Sequence, residues 1–153
     1  MKLAEALALR ADARRRVEQL RTRVVGSARY QEGEQPPEDA AALLGEADEV
    51  LDELAGLIRR INRTNAATDL GDDGTMTDAL AVRDVLRQRH ALLTAAADAA
   101  AGHGGFRQLR SELRQLSALP VGELRSRADR VARDVRELDA RIQQANWTVD
   151  LLD

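Results

Sequence analysis

Leu43, Ala47, Val50, Leu54, Leu57 and Ile61 recur at alternating steps of four and three residues. The same spacing returns 81 residues later as Leu124, Ala128, Val131, Val135, Leu138 and Ile142. A heptad row of this kind places every member on one face of a helix. A second correspondence, at an offset of 73, aligns Leu3 to Arg10 with Met76 to Arg83, and sets Arg14 and Arg16 on Arg87 and Arg89. Matches among Leu and Ala are common in helical sequences. The matched pairs Asn65 with Asn146 and Asp69 with Asp150 lie beyond the heptad stripe and are harder to obtain by chance. The chain reads as two copies of one helical hairpin.

The expected fold is all-α: two antiparallel helical hairpins, an internal duplication over about 3–70 and 76–151, forming a four-helix bundle. This makes a single domain over 1–153, with short irregular or extended arms before helices two and four. The first helix runs from about Leu3 to Ser27 and the third from about Asp78 to Ala101. Pro37 sits just before or within the first turn of helix two, and Gly71-Asp72-Asp73-Gly74 is a turn. Thr75 with Asp78 fits a capping box. Gly102 and its neighbours end helix three, and Pro120-Val121 opens helix four. From Phe106 to Leu119 two readings stay open: a short amphipathic helix through Leu109, Leu113 and Leu116, or an extended arm.

The two copies differ beside the heptad row. Helix two carries Leu44, Leu51 and Ile58 seven residues apart, where helix four has Arg125, Ala132 and Asp139. The stripe on helix two is therefore wide enough to face more than one partner helix. Helix one is rich in arginine (Arg14, Arg15, Arg16, Arg21, Arg23) and helix two in acids (Glu46, Asp48, Glu49, Asp52, Glu53). Such faces favour antiparallel packing.

Composition excludes several classes of function. There is no cysteine, hence no disulfide framework, thiolate metal site or cysteine nucleophile. Tyr30, Phe106 and Trp147 are the only aromatics, and the net charge is −3, so the chain is not expected to bind nucleic acid. No apolar run is long enough to span a bilayer, and no stable membrane insertion is expected. Glu5 and Arg10 interrupt any signal-peptide core, which points to a cytoplasmic protein. No phosphate-binding glycine loop, nucleophile elbow or zinc-protease motif occurs. Asp69-x-Gly71-x-Asp73-Gly74 lacks the acids a calcium loop needs, with Leu80 in place of the closing glutamate. His90 falls on a packing stripe and His103 in a glycine-rich loop, with no partner at metal-ligand spacing. No catalytic residue, metal site or cofactor is expected.

Four segments resemble a known family: Lys2-Leu3-Ala4-Glu5-Ala6-Leu7, Gln31-Glu32-Gly33-Glu34, Ile61-Asn62-Arg63-Thr64-Asn65, and Asn146-Trp147-Thr148-Val149-Asp150-Leu151. They are similar to the small bacterial septicolysin-like proteins, over essentially the whole chain. In that family the stretch before the last helix is more β-like than Arg110 to Leu119 is here. The resemblance implies no assigned activity. The family name suggests a cytolysin, yet this sequence has neither the thiol nor the amphipathic strands or spanning helix of a pore former.

The polar residues closing each repeat are the candidate binding set: Asn62, Arg63 and Asn65 with Asn146, Trp147 and Asp150. As helix terminators, Asn65 and Asn146 are expected to bond the backbone at their own turns, and Trp147 to pack on the partner hairpin. As a site, the six would line a polar pocket for a small ligand or substrate. The leading functional expectation is a non-enzymatic protein acting through homo-oligomerisation or a protein partner.

Overall fold

The computed structural model describes residues 1–102 and 113–153. Four α-helices follow in order: α1 (Leu3–Ser27), α2 (Ala40–Ala67), α3 (Met76–Ala100) and α4 (Val121–Thr148), with a 3-10 turn at Gly71–Asp73 between α2 and α3. The fold is all-α, and the helices pair as two hairpins, α1 with α2 and α3 with α4. The chain divides into two compact units. One comprises Met1–Asp69 with Ala145–Asp153, and the other Leu70–Gln144.

Helix starts follow local chemistry. Asp39 caps α2 by accepting the Ala42 N–H at 3.1 Å, so Pro36 and Pro37 stand outside the first turn. At α3 the capping box forms as the sequence predicts. The Thr75 N–H donates to Asp78 Oδ2 at 2.8 Å, and the Asp78 N–H to Thr75 Oγ1 at 3.2 Å. Glu5, 73 residues upstream of Asp78, likewise accepts the Lys2 N–H at 2.7 Å. α3 ends at Ala101 and Gly102, whose φ of +87° suits glycine.

In the first hairpin Leu20 of α1 packs with Leu43, Ala47 and Val50 of α2, with Ala13, Val17 and Val24 partly buried beside them. Its antiparallel sense is written in two ion pairs, Arg16 with Glu46 at 2.7 Å and Arg23 with Glu38 at 3.0 Å. In the second, Leu93 and Ala97 of α3 pack with Leu124, Ala128 and Val131 of α4. There Arg83 meets Asp139 at 2.9 Å and Arg125 meets Asp98 at 2.7 Å. Equivalent positions of the two repeats are buried alike: Leu3 and Met76, Ala6 and Ala79, Ile61 and Ile142.

The segment before α2 is irregular, with Gly33 at φ +88° in a turn closed by the Glu34 N–H on Gln31 O. Residues 113–120 are irregular too, and Leu113 and Leu116 are exposed. The short helix through Leu109, Leu113 and Leu116 does not form over 113–119. Its part from 106 to 112, like His103, lies outside the described residues.

Candidate functional site

The last turn of α2 closes through threonines. Thr64, fully buried, donates from Oγ1 to Arg60 O at 2.8 Å, and Thr68 donates to Thr64 O at 2.8 Å. Thr64 Oγ1 also accepts the Leu152 N–H at 3.0 Å, which brings the segment after α4 onto the end of α2. Arg60 reinforces that seat, with Nε on Leu152 O at 3.0 Å and Nη2 on Asp153 Oδ1 at 2.9 Å. Arg63 donates to Asp153 O at 3.0 Å. In the other repeat Arg141, at the position of Arg60, binds Asp73 through both Nε and Nη2.

The same C-terminal segment binds the start of α1. The Leu3 N–H donates to Val149 O at 3.0 Å and the Leu151 N–H to Met1 O at 2.9 Å. Lys2 Nζ reaches both Thr148 O and Asp150 Oδ1 at 2.9 Å. That hydrogen bond holds the Asp150 carboxyl below its ordinary range, as Arg141 does for Asp73, Arg23 for Glu38 and the Thr75 N–H for Asp78. Each of these carboxylates binds its proton less readily folded than unfolded. Their contribution is therefore full above the unfolded pKa and lost as pH falls through the lower folded value. Urea melts are expected to show level stability from neutrality down to about pH 5, then a decline, with a shallower decline in Asp150→Asn.

The six candidate binding residues all fall in one unit, at the ends of α2 and α4. Asn62 and Arg63 are exposed and Asn65 is half-buried. Asn146 is buried at 7% exposure, while Trp147 is 65% exposed. Asp150 is taken up by Lys2. Among the described residues, neither Asn65 nor Asn146 makes a side-chain hydrogen bond. The backbone-bonding role expected of the asparagines belongs at α2 to Thr64 and Thr68. Thr64 and Thr68 were legible in the sequence as helix-ending residues, whereas the partners that Thr64, Lys2 and Asp153 find left no sign there. Arg60 and Arg141 stand 81 residues apart at the same place in the two repeats, with nothing in the sequence to indicate their partners.

A second feature of the first hairpin is its flank. Where the other hairpin has the Arg125–Asp98 ion pair, this one has Leu44 and Val25, 53% and 69% exposed. Leu51, in place of Ala132, is 44% exposed. Where Asp139 receives Arg83, the first repeat has Ile58 and Arg10. Arg10 is easier to deprotonate than a free arginine, through desolvation and then the nearby Arg14 charge. On the opposite flank, between α1 and α2, lies a groove of about 500 Å³ floored by Leu9, Ala13, Val50 and Leu57. Among the described residues no cluster of three or more His, Asp or Glu could hold a metal, and no helix is long and apolar enough to cross a membrane.

Comparison with known proteins extends these observations. The family described as "Family of unknown function (DUF6847)" matches residues 10–151. A crystal structure of a functionally unknown conserved protein from Corynebacterium diphtheriae is similar at 39% identity and a TM-score of 0.93, covering 99% of each chain. Neither match carries the septicolysin-like name. No curated protein matches the chain.

Proposed function

The chain belongs to that family of unknown function, and we propose that it is a non-enzymatic, cytoplasmic protein that works by self-association through the flank of its first hairpin. One observation carries this reading: where α3 and α4 form the Arg125–Asp98 ion pair, α1 and α2 hold the exposed Val25 and Leu44, and the aliphatic row continues through exposed Leu51 to half-buried Ile58. Burying an aliphatic side chain of this size yields about 1.5–3 kcal/mol, so a covered flank is favoured over a wet one. A second copy fits the row well. Leu44, Leu51 and Ile58 are spaced evenly about Leu51, so an antiparallel two-fold sets Leu51 on Leu51 and Leu44 on Ile58.

Light scattering across a concentration series tests this. The parent is expected to dimerise, and Leu44→Glu with Leu51→Glu to weaken the dimer by at least roughly a hundredfold while keeping its helix content. A parent that stays monomeric at every concentration overturns the reading.

One observation supports a second reading, a small polar ligand held by Asn62, Arg63, Asn65, Asn146, Trp147 and Asp150. Asn146 is buried without a hydrogen bond among the described residues, beside an exposed tryptophan. The Asn146 amide still meets solvent and bonds nothing among those residues, so it is open to the polar groups of a ligand. A monomeric parent in the same experiment moves the weight to this site.

A further inference from the structure

α2 and α4 are equivalent helices whose outer flanks have opposite charge. α2 carries Glu46, Glu49, Asp52 and Glu53, where α4 carries Arg127, Arg130, Arg133 and Asp134. The exchange removes a bond at the top of the row. Arg16 pairs with Glu46 in the first hairpin, whereas their counterparts, Arg89 and Arg127, are both cationic. With Arg130 and Arg133 they border a hollow of about 340 Å³ whose one acid is Asp134. Among the described residues none of these four arginines is in an ion pair, and neither are Glu49, Asp52 and Glu53. Within the first hairpin Arg16 bonds Glu46 and lies near Glu49 and Glu53, so one cation faces several acids, while the arginine row of the second hairpin has no such partner among the described residues. Like charges left side by side are destabilising unless something opposite covers them.

The two rows match in pitch. Glu46, Glu49 and Asp52 are three residues apart, as are Arg127, Arg130 and Arg133. Each step rises about 4.5 Å along its helix. We infer that the acidic row of α2 in one copy docks on the arginine row of α4 in another. This rests on the self-association reading but uses a different surface, opposite the apolar flank of the first hairpin. It joins unlike faces, and both rows are solvent-exposed apart from the half-buried Glu46. Its strength therefore falls with salt, because the Debye length shrinks to about 3 Å at 1 M.

The test uses two full-length variants. In one, Glu49, Asp52 and Glu53 become Arg; in the other, Arg127, Arg130 and Arg133 become Glu. Each alone presents two rows of one sign, whereas the mixture restores an acidic row facing a basic one. Fluorescence-labelled pairs are expected to associate at least about tenfold more tightly as the mixture than either variant with itself at low salt. The preference disappears near 1 M salt. A control chain with Arg14→Glu, Arg29→Glu and Arg59→Glu has the net charge of the second variant but leaves its α4 row intact. It keeps both native rows, so it is expected to bind the first variant no more tightly than it binds itself. Circular dichroism confirms that each chain is helical. Equal association of like and unlike pairs at low salt overturns the docking of the rows while leaving the apolar dimer standing. A control chain that binds the first variant about tenfold more tightly than it binds itself overturns it as well. No association in any chain, the parent included, overturns both.

Discussion

Ile61→Ala and Ile142→Ala are each expected to lower the unfolding free energy by about 2–5 kcal/mol, the usual cost of hollowing a packed aliphatic site. Both isoleucines are 1% exposed and lie 81 residues apart, at the same place in their repeats. Each removes the same three carbons from the side of a helix whose heptad row is buried at most of its positions. Equivalent sites should give similar losses in urea melts. Leu57, also in the α2 row, is only half-buried, and Leu57→Ala is expected to cost less than Ile61→Ala. A loss below about 1 kcal/mol at Ile61 would show that the α2 row is not the core of its hairpin.

Gly74→Ala is the second large effect. Gly74 has φ +76° and ψ −143°, a region open in practice to glycine alone. A Cβ there would sit 2.7 Å from Asp78 Oδ2, the oxygen that accepts the Thr75 N–H. Backbone strain of about 1–3 kcal/mol then adds to the loss of a cap, typically about 1 kcal/mol. Gly45→Ala is the control: Gly45 lies within α2, and an added methyl meets nothing within 4 Å. It should stabilise by about 0.5–1 kcal/mol. Melts in which both substitutions shift stability in the same direction would refute the account of Gly74.

The parts of this fold that short-range rules govern were legible. Periodicity located α2 and α4, and Thr75 with Asp78 marked the start of α3, because a cap and its helix lie within four residues of each other. The repeat was legible because polar matches such as Asp69 with Asp150 survive beyond the heptad row. Trp147 and the asparagines were read less well, and for one reason. Whether a polar residue at a helix end caps, packs or faces water depends on what chain returns to it. Leu152 returns to Thr64 across 88 residues and Asp150 to Lys2 across 148, and no window of sequence carries that path. The candidate site was thus read by position but not by partner, while the exposed flank was visible in the contrast of Leu44 with Arg125 and of Leu51 with Ala132.

The bond between Leu151 and Met1 has a counterpart between Leu70 and Gly74, whose N–H and C=O meet at 2.8 Å. By the two repeat offsets, Leu151 stands for Leu70 and Met1 for Gly74. Gly71, Asp72 and Asp73 join the one pair covalently; Leu152, Asp153 and a single added residue would join the other. The two repeats therefore share one kind of link, continuous in the chain at one place, 71–73, and made by hydrogen bonds between distant residues at the other. Sealing that link and opening the 71–73 turn gives a circular permutant in which the order of the hairpins is exchanged and every helix keeps its own neighbour.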